Sequence, residues 1–160
     1  MASKSRSKKT NSKAKVKQFL ILHGPNLNLL GDREPEVYGS MTLKELNAII
    51  QGEAKINRVK VKIFQSNSEG KLIDILHASR KWADGIVFNP GAYTHYSYAL
   101  RDAVGSIGVP TVEVHLSDIH SREDFRKISV IEPVCVAQVC GLGANSYVEG
   151  LALLLGQDAR

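Results

Sequence analysis

Residues 19–39 read FLILHGPNLNLLGDREPEVYG, and the fold of the chain turns on how this stretch divides. Phe19 to Leu22 is an apolar run of the length of a buried strand. Gly24-Pro25 breaks it, and a polar loop follows that holds Asn26, Asn28, Arg33 and Tyr38 before Gly39. The asparagines donate and accept hydrogen bonds without charge, whereas Arg33 is permanently positive. In an open α/β sheet, ligands are met by loops leaving the carboxyl ends of strands. A loop this long between strand and helix is functional or disordered. Its Asn, Arg and Tyr favour function.

The rest of the chain alternates strand and helix. Thr42 with Glu45 three residues on has the capping-box pattern, and Leu43, Leu46, Ile49 and Ile50 continue at helical spacing to about Ile56. Val59 to Phe64 alternates Val-Lys-Val-Lys-Ile-Phe, which predicts an edge strand with one wet face. A polar loop, 65–70, leads into a helix through Leu72, Ile73, Ile75, Leu76 and Ser79. Gly85 to Phe88 predicts a strand that Asn89-Pro90-Gly91 ends sharply, then a helix from about Tyr93 to Val104 closed by Gly105. Pro110 to Val114 predicts a fourth strand, with His115 where it leaves the sheet; Ser121 caps a short turn, REDFRK. Val134 to Val139 reads as the last strand and Ala144 to Leu155 as the last helix. This pattern predicts an α/β fold, a flavodoxin-like three-layer sandwich whose five-stranded parallel sheet has the order 2-1-3-4-5. Residues 18–160 form one domain in this reading.

The formal charge of +5 belongs to one end. Residues 1–17 hold seven basic residues and no acids, which leaves 14 of the 21 basic residues against all 16 acids, a balance of −2 for the remainder. The segment lacks large hydrophobic residues and reads as a disordered basic tail. Contact with nucleic acid or a membrane surface and an organelle transit role are its alternatives; the first would collapse with salt. No apolar run approaches the eighteen residues of a membrane span, and no secretory h-region is visible. Cys135 and Cys140 lie in an apolar run without metal ligands nearby in sequence, so they read as buried thiols in a reducing, cytoplasmic setting.

Parallel strands would gather four polar clusters at one edge: Asn26 to Tyr38, Asn67 to Glu69, Asn89 to His95, and Glu113 to Ser117, with Arg122 and Arg126 beyond. Tyr and His can move protons, Asn offers neutral hydrogen bonds, and two arginines suit an anion. A Gly-x-Gly-x-x-Gly turn, a GxxxxGK[ST] loop, a metal-spaced cluster and a nucleophile elbow are all missing. Each candidate also has a plainer reading. Tyr38 before Gly is by itself more often a packed loop anchor, His115 a satisfied structural histidine, and Asn26 and Asn89 turn formers beside proline. Arg122 reads as a solvated charge, and His23, His77 and His120 as structural. A flavodoxin-like binding module without chemistry is the competing class. HGPNLN suits a flavin phosphate poorly, and no acids end the first strand as a receiver domain needs.

Five segments together carry a resemblance: LHGPNLNLLGDREPEVYG, FQSNSEGKLIDILH, NPGAYTHYSYALRDA, VEVHLSDIHSREDFR and CGLGANSY. In this order and spacing the chain resembles type II 3-dehydroquinate dehydratase over about residues 19–150. The resemblance implies a hydro-lyase without cofactor or metal, assembled as a dodecamer of four trimers, that converts 3-dehydroquinate to 3-dehydroshikimate by anti elimination through an enolate. Aromatic biosynthesis (the shikimate pathway) and quinate breakdown both use this reaction. Tyr38 would remove the C2 proton with Arg33 and Arg126 supporting its anion. Asn26 would hold a water against the enolate oxygen, and His115 would protonate the leaving hydroxyl with Glu113 or a backbone group orienting its ring. Asn89, His95, Leu116, Ser117 and Arg126 would bind substrate, and Asp102 would reach a neighbouring subunit's site. Tyr96 and Tyr98 depart from the family's smaller residues and are expected to alter packing under the site.

Overall fold

The computed structural model describes residues 15–32, 36 and 39–156. Residues 1–14 of the basic tail, Arg33, Tyr38 and residues 157–160 lie outside the described residues. The strands are β1 (Gln18–His23), β2 (Lys60–Gln65), β3 (Gly85–Asn89), β4 (Thr111–His115) and β5 (Ala137–Cys140). All pair in parallel in the order β2-β1-β3-β4-β5, as expected. The helices are α1 (Leu43–Ile56), α2 (Glu69–Ser79), α3 (Tyr98–Ile107) and α4 (Asn145–Gly156).

Strand side chains alternate between the faces, and the core follows that period of two. Phe19 and Ile21 of β1, Val87 of β3 and Val112 and Val114 of β4 pack with Leu46 and Ile50 of α1 and Leu151 and Leu154 of α4. Leu20, Leu22, Ile86 and Phe88 point the other way, to Leu72 and Leu76 of α2 and Leu100 and Val104 of α3. Each such fully buried side chain contributes roughly 1.5–3 kcal/mol. β2 is an edge strand and alternates exposed and half-buried residues, as its Val-Lys repeat predicts.

Caps decide where the helices begin. Thr42 and Glu45 form the predicted capping box of α1. Ser68 and Ser97 cap α2 and α3 through their hydroxyls. The expected helix from Tyr93 to Val104 is in fact two elements. Residues Gly91–His95 form a 3-10 turn, the Tyr96 and Ser97 backbones leave helical geometry, and α3 starts afresh after the Ser97 cap. Gly105 lies inside α3, which instead ends at Gly108 with φ 67°, a conformation glycine adopts freely. Two further corrections follow β4. Ser121 closes a 3-10 turn that Asp118 caps, and Val134 ends another 3-10 turn, so β5 starts only at Ala137. Tyr96 and Tyr98 are 61% and 64% exposed and do not pack beneath the site.

α4 sits unusually close to the sheet at Gly150. A Cβ there would lie 2.9 Å from Val114 Cγ1 and 3.4 Å from Val112 Cγ1 and Val87 Cγ1. Gly150→Val should therefore lower stability by about 1–3 kcal/mol, the usual cost of overpacking. Urea unfolding that shows a change below about 0.5 kcal/mol would disprove this close packing.

Candidate active site

The carboxyl ends of β1, β3 and β4 open on one cavity. Pro25, Asn26, Leu27 and Leu30 reach it from the loop after β1, and Asn89, Gly91, Ala92 and His95 from the end of β3. His115, Leu116, Ser117, Ile119, Arg122 and Arg126 complete it beyond β4. Seven expected site residues thus meet: Asn26, Asn89, His95, His115, Leu116, Ser117 and Arg126. Asp102 does not join them; it is exposed on α3. Asn67 supports the site from behind, its Oδ1 accepting from the Asn26 amide at 3.0 Å and Gln65 Nε2 at 2.9 Å.

The loops after β1 and β3 touch at Gly24. Its N–H donates to the Asn89 carbonyl at 2.7 Å, and a Cβ on Gly24 would lie 2.7 Å from that oxygen and from Pro90. Only glycine permits this approach. Asn26 then takes a left-handed conformation, φ 66°, which Asn tolerates better than most residues.

Glu113 and His115 lie two apart on β4 and so share a face. His115 Nε2–H donates to Glu113 Oε1 at 2.6 Å, leaving Nδ1 as the working nitrogen. The Glu113 carboxylate is wholly buried. Burial pushes its pKa up, but His115, through hydrogen bond and charge, and the Thr94 and Ser129 hydroxyls outweigh it and hold it below the usual range. Ser129 Oγ in turn accepts from the Ile131 and Glu132 amides at 3.1 and 2.9 Å. An ionised carboxylate at this depth is tolerated because donors surround it.

His95 donates Nδ1–H to the Ile128 carbonyl at 2.8 Å, which leaves Nε2 as an acceptor. Burial lowers its pKa, and the nearby His115 and Arg126 charges add to that against the opposing Ile128 bond. Arg126 Nε lies 3.1 Å from the Glu123 carboxylate, an ion pair without hydrogen-bond alignment. Arg122 pairs with the same carboxylate at 3.6 Å. Both arginines line the cavity, so Arg122 belongs to the site, contrary to its reading as a solvated charge. Its place four residues before Arg126, in a loop off the same sheet edge, was the available signal. Two arginines, two histidines and neutral amides around a small pocket suit an anion that bears hydroxyls, with proton transfer available at His115.

Residues that seemed idle in the sequence support this wall. His23 is buried, with Nδ1 2.9 Å from the Tyr147 hydroxyl and Nε2 2.8 Å from Asn47 Oδ1. Burial pushes the Tyr147 phenol far above its usual range, with the neighbouring Asn89 side chain acting weakly against it. The cysteines are half-buried rather than buried. Burial pushes Cys135 up to about 12. Cys140, without ligand partners nearby in sequence, has Asp118 and His120 beside it in space, their donor atoms within 4.8 Å of one another. Asp118 Oδ1 there serves the fold, accepting from the His120 amide at 3.0 Å.

A family model of class II dehydroquinase matches residues 17–155. The chain is 59% identical over 134 residues to a 3-dehydroquinate dehydratase of Pelotomaculum thermopropionicum, covering 84% of this chain and 93% of that protein. A 3-dehydroquinate dehydratase of Trichodesmium erythraeum is 54% identical over 137 residues, covering 86% and 91%. Among solved structures, the type II dehydroquinase of Butyrivibrio crossotus superposes with a TM-score of 0.86 at 44% identity, over 88% of this chain and 98% of that one. The type II dehydroquinase of Propionibacterium acnes gives 0.82 at 36%, over 86% and 95%.

The buried imidazole has a consequence for stability. Burial lowers the His23 pKa from 6.5 to about 4, against the opposing Asn47 bond. Between those values the unfolded chain binds more protons than the fold, so stability falls as pH drops from 6.5 to 4 and His23 adds no further loss below. The whole window corresponds to about 3 kcal/mol. A His23→Asn variant should show a flatter stability profile across pH 4–6.5 in urea unfolding. A slope equal to wild type would refute this assignment.

Proposed function

The chain belongs to the class II dehydroquinase family, and from that premise we propose that it dehydrates 3-dehydroquinate reversibly to 3-dehydroshikimate, by anti elimination through an enolate. It is a hydro-lyase, a 3-dehydroquinate dehydratase of type II. The observation that carries the reading is the buried Glu113–His115 pair facing a cavity that two arginines and neutral amides line.

Tyr38 takes the proton from C2, next to the ketone. A tyrosine ordinarily titrates near ~10, so a working anion at neutral pH needs roughly 4 kcal/mol of preferential stabilisation. Arg33 and Arg126 are the cations that supply it in this scheme. The enolate oxygen is met by a water on Asn26, which stabilises charge where it develops. His115, acting in its doubly protonated form with Nε2–H tied to Glu113, gives its Nδ1 proton to the leaving C1 hydroxyl and is left neutral as water departs. Arg126, Asn89, His95 and the Leu116 and Ser117 amides hold the carboxylate and hydroxyls. The ring of His95 accepts through Nε2, consistent with its Nδ1–H bond to Ile128. No cofactor or metal takes part in this scheme.

Asp102 completes the site of a neighbouring subunit in a dodecamer of four trimers; its exposure on α3, outside the cavity of its own chain, supports that role. The exposed Phe125 and Ile128 beside the site fit a subunit contact. Among the described residues no helix is long and apolar enough to cross a membrane. We place the enzyme in the cytoplasm, with residues 1–17 as a basic leader to a catalytic domain of residues 18–160.

The product is a conjugated enone, so turnover appears as rising ultraviolet absorbance when protein meets 3-dehydroquinate. Tyr38→Phe should lower kcat by at least the ~10²–10⁴-fold typical of a lost proton-transfer group. Arg33→Ala should lower kcat more than it raises KM. Undiminished turnover in Tyr38→Phe would overturn the choice of base, and an inactive wild type would overturn the reaction.

A further inference from the structure

The loops after β4 and β5 run side by side, and strand register sets what they bring together. Cys140, the last residue of β5, is the sheet partner of His115, the last residue of β4. Beyond that pair the Gly143 N–H donates to the Leu116 carbonyl at 3.0 Å. Gly141 comes so close that a Cβ there would lie 3.0 Å from Asp118 Cβ, and its φ of 83° is one that side chains disfavour. Glycine at 141 thus lets Asp118 and His120, on the β4 loop, stand beside the Cys140 thiol. One donor atom from each of the three lies within 4.8 Å of the others.

These side chains are committed to little else. Asp118 uses Oδ1 to accept from the His120 amide at 3.0 Å, capping the 3-10 turn Ile119–Ser121, and Oδ2 is left for another partner. The same bond fixes Asp118 against His120, so one tight turn presents two ligands. The exposed His120 ring has no hydrogen bond among the described residues. The Cys140 thiol donates only a weak bond, to Gln138 Oε1 at 3.5 Å. Burial, then the Asp118 and Glu113 charges, push that thiol above its usual range. A divalent cation reverses this balance, because it offsets the negative field and favours the thiolate.

We propose that Cys140, His120 and Asp118 bind one zinc ion, a borderline-soft divalent cation, which ties the loop after β4 to the end of β5. Thiolate, imidazole and carboxylate are the donors zinc takes, and water completes a tetrahedral set of three protein ligands. Calcium and magnesium prefer oxygen alone. Tetrahedral donors around zinc stand roughly 3.3–3.6 Å apart, so the trio closes by about 1 Å, within reach of rotamer changes in exposed side chains. As the sulfur–metal bond forms, the Cys140 S–H bond breaks and its proton leaves to solvent. None of the three ligands lines the cavity, so the ion is structural and independent of the reaction proposed above. The loop it pins nevertheless carries Leu116, Ser117, Arg122 and Arg126 of that cavity.

A titration of the full-length chain with Co2+, reduced and free of oxygen, tests the site, cobalt standing in for zinc. One ion per chain should bind with a thiolate-to-cobalt charge-transfer band, and one equivalent of Zn2+ should abolish that band. Affinity should rise about tenfold per pH unit near neutrality, as one proton is displaced per ion. Cys140→Ser should remove the band and weaken zinc binding by more than the roughly 10–100-fold lost with outer-shell partners. Asp118→Asn keeps an oxygen for the His120 amide but loses the charged ligand, and should weaken binding at least about tenfold. Cys135→Ser should change neither band nor affinity. Zn2+ should also raise the thermal midpoint of the wild type and leave that of Cys140→Ser unmoved. A spectrum without the thiolate band, a band that survives Cys140→Ser or is lost in Cys135→Ser, or affinity unchanged in Asp118→Asn would overturn the proposal. So would zinc binding no tighter than roughly millimolar, the mark of an adventitious ion.

Discussion

Parallel strands cannot be joined by tight turns, so each of β1 to β4 is left at one edge of the sheet and the next is reached through a crossover that contains a helix or turn. All four exit loops therefore gather at the same edge. β1 and β3, neighbours in the sheet but far apart in sequence, bring their loops into contact where Gly24 meets the Asn89 carbonyl. The cavity is the space these loops leave above the strand ends. Its position follows from strand direction before any side chain is considered.

Period two then divides the chemistry. Odd residues of β1, β3 and β4 do not all face alike, because register shifts between strands. Asn89 and His23 turn toward α4, whereas Glu113 and His115 turn toward the α3 side. Each face carries one polar group that the core would otherwise expel, and each answers it with a closed set of partners. On one side an ionised carboxylate is met by two hydroxyls and an imidazole. On the other a neutral imidazole is met by a phenol and an amide. Breaking a buried charged set leaves an uncompensated charge, which costs several kcal/mol.

Much of this was legible in the chain. The capping box at Thr42, the Val-Lys repeat of β2 and the apolar runs of β1 and β3 each state a local preference that the fold obeys. Where local signals misled, a competing contact prevailed. Gly105 reads as a helix stop, yet Gly in a helix costs only about 1 kcal/mol and Gly108 takes the left-handed cap. Tyr93 to Val104 reads as one helix, but the Ser97 hydroxyl, bonded to Glu69 at 2.5 Å as well as to the Leu100 amide, restarts it. Val134 looks like strand and is held instead in a turn that begins with Glu132-Pro133.

The sequence by itself determined the element order and the parallel sheet, because hydrophobic period and loop polarity are properties of neighbouring residues; the seven residues that meet in the cavity were named through the resemblance that the five segments carry. Only the tertiary structure decided that Arg122 faces the cavity, that Asp102 does not, that Asp118 and His120 stand beside Cys140, and that His23 meets Tyr147. Those relations join residues up to 124 positions apart. They depend on strand register and on which helix covers which face, and no local pattern encodes either.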